Sequence, residues 1–259
     1  MALLAVIQGV TEFLPVSSSA HLILPAQLLG WPDQGLLFDV AVHAGTLCAV
    51  MFYFRHTLAS LIASLAPGAG AHRSELWALT IATVPVLVAG LVLKDVIATE
   101  ARSIGVITAA TLGFGVLLGI ADRVSNRAGA ARDKVSYRDA LLIGMAQVFA
   151  LIPGTSRSGV TITAALFLGY HPAAASRFSF LLSMPVIAGA LLVMLLSWET
   201  PAGSASAEVI LGAFVIAAVF AYATIKSFMY LLQRVGLMPF VVYRLILGML
   251  LLGWMLNGG

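Results

Sequence analysis

A carboxylate, a serine cluster and a histidine lie close together near the start of the chain, in an otherwise apolar stretch. Gln8 and Glu12 are four residues apart, so a helix would place them on one face. A proline then breaks the stretch, and Ser17 or Ser18 can cap a following helix, whose free N–H groups attract an anion. His21 lies one turn after Ser18. A hydroxyl, an imidazole and a carboxylate form the set that an activated nucleophile requires, although a capped turn with a packed histidine would have the same sequence.

A second polar segment interrupts the apolar sequence after Pro153. It contains one arginine and four hydroxyl side chains, namely Arg157, Thr155, Ser156, Ser158 and Thr161. A planar guanidinium beside hydroxyls and the N–H groups of a helix start is well suited to bind phosphate. The alternative is that Arg157 is buried only to pair with Glu12, an arrangement that contributes little stability by itself.

The elements that carry these residues must lie in a membrane. The chain of 259 residues is 61% hydrophobic and only 10% charged, with a mean hydropathy of +1.03, whereas soluble domains carry about 25% charged residues. Its basic residues cluster between apolar runs, which indicates membrane orientation rather than a nucleic-acid partner. Six runs are close to the length that crosses a bilayer: 36–54, 76–97, 104–121, 177–198, 208–230 and 239–257.

The two polar segments break shorter apolar stretches. Residues 1–14 and 20–30 flank the first segment, and residues 139–152 and a piece ending at Leu168 flank the second. These pieces are too short to span a membrane but suit re-entrant helix–loop–helix hairpins. Each hairpin has a glutamine, Gln8 or Gln147, shortly before a proline, and three spans follow each. The sequence predicts an all-α polytopic membrane protein forming one domain, in which inverted-topology repeats of about 1–121 and 139–257 bring their broken helices together near the midplane.

Charge counting predicts the orientation. With this layout one side receives the loops around 55–75, 122–138 and 227–238, and the other side collects only Lys94 and Arg102. The first side collects Arg55, Arg73, Arg123, Arg127, Arg132, Lys134, Arg138, Arg177, Lys226, Arg234 and Arg244. The positive-inside rule makes that side cytoplasmic, so the loop 122–138 is cytoplasmic and both termini lie outside.

Three further ionisable residues lie within apolar runs. Asp39 and His43 are four residues apart on one face of the first span, where they either face the site or take part in helix packing. Arg244, near one end of the last span, is expected to extend its side chain toward the membrane surface.

The polar segments resemble the two motifs of a known family. Residues 8–21, QGVTEFLPVSSSAH, and residues 153–161, PGTSRSGVT, are similar over their full length to motifs of the undecaprenyl-diphosphate phosphatases, also called bacitracin-resistance proteins. The resemblance covers essentially the whole chain. Gln8 holds the more variable motif position, so Glu12 is expected to be the acting carboxylate, and Ala20 replaces a more common glycine.

The resemblance implies hydrolysis of undecaprenyl diphosphate to the monophosphate, which returns the lipid carrier to peptidoglycan synthesis and confers bacitracin resistance. It also implies an inner-membrane location, a site opening outward and a divalent cation, Mg²⁺ or Ca²⁺. The expected partners are the polyprenyl lipid and the membrane, without nucleic acid, and the oligomeric state stays open, a homodimer included. The expected catalytic residues are Glu12, Ser18, His21 and Arg157, the expected substrate-binding residues are Gln8, Ser17, Thr155, Ser156, Ser158 and Thr161, and the metal ligand would be Glu12 with Gln8.

Two other functions have to be weighed. Inverted repeats with broken helices at the midplane are also typical of secondary transporters, so a transporter or flippase for a phosphorylated lipid is the main alternative. Transport needs anion donors but no nucleophile with a base, and the set of Ser18, His21 and Glu12 therefore favours an enzyme. A structural scaffold would leave the charged Glu12 and Arg157 unexplained. The nucleophile itself stays open among Ser18, His21 and water.

Overall fold

The computed structural model describes residues 1–31, 35–66, 72–99, 101–129, 132–196 and 206–257, and within these ranges it contains helices and no β-strand. The helices are α1 (Ala2–Thr11), α2 (Ser18–Leu29), α3 (Leu36–Tyr53), α4 (Arg55–Ala63), α5 (Arg73–Thr99), α6 (Ile104–Ala128), α7 (Tyr137–Gln147), α8 (Arg157–Phe167), α9 (Pro172–Leu196), α10 (Ala207–Val235) and α11 (Met238–Leu256), with a 3₁₀ turn over Val148–Leu151 after α7.

Six of the described helices are long and apolar enough to cross a membrane, namely α3, α5, α6, α9, α10 and α11. They confirm the six spans that hydropathy predicts. Several extend into polar sequence, because helical hydrogen bonding continues beyond the apolar run: α6 runs to Ala128 and α10 to Val235. The connection predicted at 122–138 is therefore shorter. Residues 55–63, predicted as part of a loop, form α4 instead.

The outer surfaces of these helices are apolar. Large apolar side chains such as Val92, Leu211 and Leu250 are largely exposed on the protein surface. Contact between so much apolar surface and water would be unfavourable. Hydrocarbon does favour such side chains, and it leaves no backbone polar group unsatisfied when the segment is helical. The chain is a multi-pass membrane protein.

Glycines let the short helices approach the spans closely. Gly9 of α1 faces the backbone of α10, where an added Cβ would lie 2.7 Å from the carbonyl oxygen of Ala217. Gly144 of α7 faces α5, and a Cβ there would lie 2.5 Å from the carbonyl oxygen of Ala82. Small residues commonly permit such contacts in membranes. These two contacts hold α1 and α7 beside the spans and so position the segments that follow them.

The two helix breaks have the same local construction. The first break covers residues 12–17 and the second covers residues 152–156. Each ends in a serine with a positive φ, 76° for Ser17 and 71° for Ser156, and no other non-glycine residue in the described ranges has one. Each serine caps the next helix, Ser17 accepting from the N–H of Ala20 and Ser156 from that of Gly159. Such strained conformations cost about 1–3 kcal/mol each and persist only where the surroundings impose them.

The far ends of α7 and α8 are tied together by Asp139. Its carboxylate accepts hydrogen bonds from the hydroxyl of Tyr170, at 2.7 Å, and from Arg132. Burial alone would raise the pKa of Asp139, but hydrogen bonds from Tyr170, Ser136 and Arg132, together with the charge of Arg132, keep that pKa below its usual value. The stabilisation is therefore present near neutral pH and is lost as the pH falls through the lowered pKa.

Candidate active site

The two breaks meet around a cavity of about 230 Å³, called the site cavity below. Its polar wall consists of Glu12, Ser17, Ser18, Ser19, His43, Ser156 and Arg157, and its apolar wall comes from α5, the 3₁₀ turn and α9. The structure thus brings together residues that are more than a hundred positions apart in sequence. A charged headgroup and the start of an apolar chain could share such a cavity.

Glu12 is the centre of the polar wall. One of its oxygens, Oε2, accepts hydrogen bonds from the hydroxyl of Ser18 at 2.7 Å and from Nε2 of Gln8 at 2.9 Å. Its other oxygen, Oε1, accepts from Nη2 of Arg157 at 3.0 Å. The Glu12 and Arg157 side chains are only 8% and 11% exposed. A buried carboxylate requires such partners, and Glu12 has three donors.

Two helix starts face the site cavity. Helix α2 begins at Ser18 and α8 begins at Arg157, and both residues line the cavity. The N-terminus of a helix carries free N–H groups and a partial positive charge, so each helix start favours a bound anion. Together with the guanidinium of Arg157 they form a suitable place for phosphoryl oxygens.

Of the five hydroxyl residues predicted to bind substrate, two line the site cavity and three do not. Ser17 and Ser156 line the cavity as well as capping their helices. Ser158 donates to the carbonyl of Leu14, and Thr161 bonds to the carbonyl of Arg157 and to the hydroxyl of Ser179. Thr155 is buried, and its hydroxyl has no hydrogen-bond partner among the described residues. Neither Ser158 nor Thr161 lines the site cavity, and both brace the second break against its neighbours.

The hydrogen bonds of the His21 ring go to residues other than Ser18. Its Nδ1 lies 2.7 Å from the carbonyl oxygen of Ser17, and its Nε2 bonds to the hydroxyl of Tyr243. Because a carbonyl oxygen only accepts, Nδ1 carries the hydrogen and Nε2 accepts from Tyr243. The two rings also stack, with their centres 5.7 Å apart. The structure brings the hydroxyl of Ser18 to Glu12 rather than to this imidazole.

Arg244 corrects a sequence-based expectation. Its side chain does not extend to the membrane surface but is fully buried. Its guanidinium donates to five backbone carbonyls, those of Pro15, Gly154, Thr155, Ala110 and Thr111. Helix breaks leave carbonyls without helical partners, and a side chain with five N–H donors satisfies them without water. Two features of the sequence could have predicted this role: an arginine lies inside an apolar span, and the same chain contains two broken helices.

A second cavity of about 390 Å³, called the adjacent cavity, shares Ser18, Ser19 and His43 with the site cavity. Its remaining polar lining includes Gln27, Asp39 and Arg102. The sequence left open whether Asp39 and His43 face the site. The structure places His43 in both cavities and Asp39 in the adjacent cavity alone.

Known proteins of one family are similar to this chain over nearly its whole length. The family model described as "Bacitracin resistance protein BacA" matches residues 1–250. A protein of Hahella chejuensis named undecaprenyl-diphosphatase is 52% identical over 260 residues, covering 98% of this chain and 97% of the relative. Proteins of the same name from Chromohalobacter salexigens and Alcanivorax borkumensis are 52% and 50% identical, and each alignment covers 97% of this chain and, respectively, 96% and 97% of the relative.

Proposed function

This chain belongs to the bacitracin resistance protein BacA family, and from that membership we propose how its site performs the family's reaction. The chain is an undecaprenyl-diphosphatase. It hydrolyses undecaprenyl diphosphate to undecaprenyl phosphate and inorganic phosphate, which recycles the lipid carrier for peptidoglycan synthesis and confers bacitracin resistance. The observation that supports the proposed mechanism is the contact of Ser18, Glu12 and Arg157 in one cavity.

The substrate lies with its headgroup against the polar wall and its tail along the apolar wall. Arg157 and the starts of α2 and α8 receive the phosphoryl oxygens, because these groups offer charge and N–H donors in a water-poor site. The first isoprene units pack against an apolar wall that includes Val86, Val186, Ile187 and Leu191. Since α5 and α9 are membrane spans, the rest of the tail can stay in lipid.

Ser18 is the nucleophile in this mechanism, and Glu12 is its base. The hydroxyl proton of Ser18 passes to Oε2 of Glu12 along the 2.7 Å hydrogen bond while Oγ attacks the terminal phosphorus. The bond from that phosphorus to the bridging oxygen breaks, and undecaprenyl phosphate leaves. Arg157 stabilises the charge on the transferred phosphoryl group. Water then cleaves the phosphoserine and releases inorganic phosphate. His21 orients Ser17 and the start of α2 through its hydrogen bond.

A divalent cation, Mg²⁺ or Ca²⁺, is part of the proposal. Such ions take oxygen ligands, and the carboxylate of Glu12 lies beside a buried Oε1 of Gln8 that has no partner among the described residues. No group of three or more His, Cys, Asp or Glu residues suited to a metal is found in the described ranges. Glu12 with Gln8 would therefore hold the ion together with phosphate oxygens of the substrate, and its charge would neutralise the headgroup.

The membrane layout is also proposed here. The chain lies in the inner membrane as an inverted repeat, with re-entrant hairpins α1–α2 and α7–α8, both termini outside and the site opening outward. Three observations support it: the one-sided loop charges, the matching strained serines Ser17 and Ser156, and the packing of α1 on α10 and of α7 on α5. A homodimer stays a prediction that mass measurement in detergent would check.

Phosphate release by purified protein in detergent, followed by acid quench with terminally labelled substrate, tests the mechanism. We expect Ser18→Ala to abolish turnover and the wild type to yield an acid-stable phosphoserine. A remote Ser60→Ala variant in α4 serves as the control. An acid-labile adduct would instead indicate His21 as nucleophile. An active Ser18→Ala enzyme without any adduct would indicate direct attack by water.

A further inference from the structure

The two-step reaction needs a second base, and this inference rests on the proposed reaction. Glu12 accepts the proton of Ser18 in the first step through Oε2. When water attacks the phosphoserine, Oγ of Ser18 becomes the leaving group and takes that proton back. Glu12 therefore carries a proton while water attacks and cannot accept another. A different group that faces the same cavity has to activate the water.

His43 of α3 is the candidate for this base. Its Nδ1 lies 2.8 Å from the carbonyl oxygen of Asp39, so the hydrogen of the neutral ring is on Nδ1 and the lone pair is on Nε2. Within the described ranges no hydrogen bond to this Nε2 is found, and the ring lines the site cavity. The other histidine near the site, His21, has both nitrogens engaged and lines neither cavity.

The position of His43 also suits the supply of water. It lies where the site cavity meets the larger adjacent cavity, whose lining contains the polar side chains Gln27, Asp39 and Arg102. The polar lining of the adjacent cavity suits water, and His43 is one of the residues that the two cavities share. Among the charged residues around it, Glu12 and Arg157 share the site cavity, while Asp39 and Arg102 line the adjacent one.

We infer that His43 is a catalytic residue, the general base of the dephosphorylation step. Its Nε2 takes a proton from water, the water oxygen forms a bond to phosphorus, and the bond from phosphorus to Oγ of Ser18 breaks. Ser18 receives its proton from Glu12, and inorganic phosphate leaves with the new oxygen. His43 then releases its proton to solvent in the adjacent cavity, which restores the starting state.

The test is His43→Gln in the full-length protein with terminally labelled undecaprenyl diphosphate. Glutamine keeps a donor for the Asp39 carbonyl but is not a base. We expect kcat to fall by about 100-fold or more, with little change in KM. The first turnover should still release a burst of undecaprenyl phosphate, and acid-stable phosphoserine should accumulate at Ser18. Imidazole added to His43→Ala should restore turnover. The exposed His56→Gln in α4 is the matched control and should behave as wild type.

Three outcomes would overturn the role of His43. The first is a His43→Gln enzyme with wild-type kcat. The second is a slow enzyme whose burst is slowed equally and which accumulates no adduct, since a structural role would have that effect. The third is His43→Ala that imidazole does not restore. The Ser18→Ala single variant, which keeps His43, shows separately whether the serine mechanism fails. If that mechanism is wrong, this variant remains active.

Discussion

Arg244→Lys tests how the two helix breaks are held against each other. The guanidinium donates to five carbonyls, of which Pro15, Gly154 and Thr155 belong to the breaks. Lysine keeps the charge but has three donors at one point, so two of the five carbonyls lose this partner. A hydrogen bond to a charged group contributes about 1.5–3 kcal/mol, which makes the expected loss about 3–6 kcal/mol. At about 2–4 °C per kcal/mol for a chain of this size, the midpoint of unfolding should fall by roughly 6–24 °C.

Thermal unfolding in detergent, followed by tryptophan fluorescence, measures this change. Phosphate release at a temperature where the variant is folded measures the second effect, a lower kcat caused by displaced breaks. Arg234→Lys is the control, because Arg234 is exposed at the end of α10 and lies over the ring of Tyr230. The free energy of unfolding of the Arg234→Lys protein should differ from that of the wild type by less than about 0.5 kcal/mol. An Arg244→Lys protein that unfolds at the same temperature as Arg234→Lys would refute the role of these hydrogen bonds.

Four other results are expected. Arg157→Lys keeps the charge but loses the planar fork, so it should fold normally and lose most turnover; near-normal turnover would leave Arg157 a structural partner of Glu12. Gly144→Ala would bring a Cβ within 2.5 Å of the α5 backbone and should cost about 1–3 kcal/mol of stability, while Gly113→Ala, with open space around it, should be neutral or slightly stabilising. Chelator should suppress turnover reversibly, and full activity in excess EDTA would exclude the cation. In a protein without its native cysteine, Asn126→Cys should react with membrane-impermeant thiol reagents only when they are added on the cytoplasmic side. Labelling from outside would contradict the proposed orientation.

Local sequence features were sufficient to predict the membrane spans and the positions of the two helix breaks. A membrane helix satisfies its own backbone, so the length of an apolar run predicts it without knowledge of neighbours. Pro15 and Pro153 interrupt short apolar stretches. Ser17 caps the helix after the first break as expected, and Ser156 caps the helix after the second. Hydropathy did not predict α4 or the polar extensions of α6 and α10, because helical hydrogen bonding does not depend on an apolar sequence.

The sequence by itself determined the composition of the site: a carboxylate and hydroxyls in the first break, and an arginine in the second. Only the tertiary structure decided which of these groups meet. Glu12 contacts Arg157 across 145 positions, Ser18 turns toward Glu12 rather than His21, and Arg244 reaches carbonyls of both breaks. The physical reason is that helical periodicity describes neighbours on one element. A donor and an acceptor on separate elements meet only where close packing, such as that at Gly9 and Gly144, brings their backbones together.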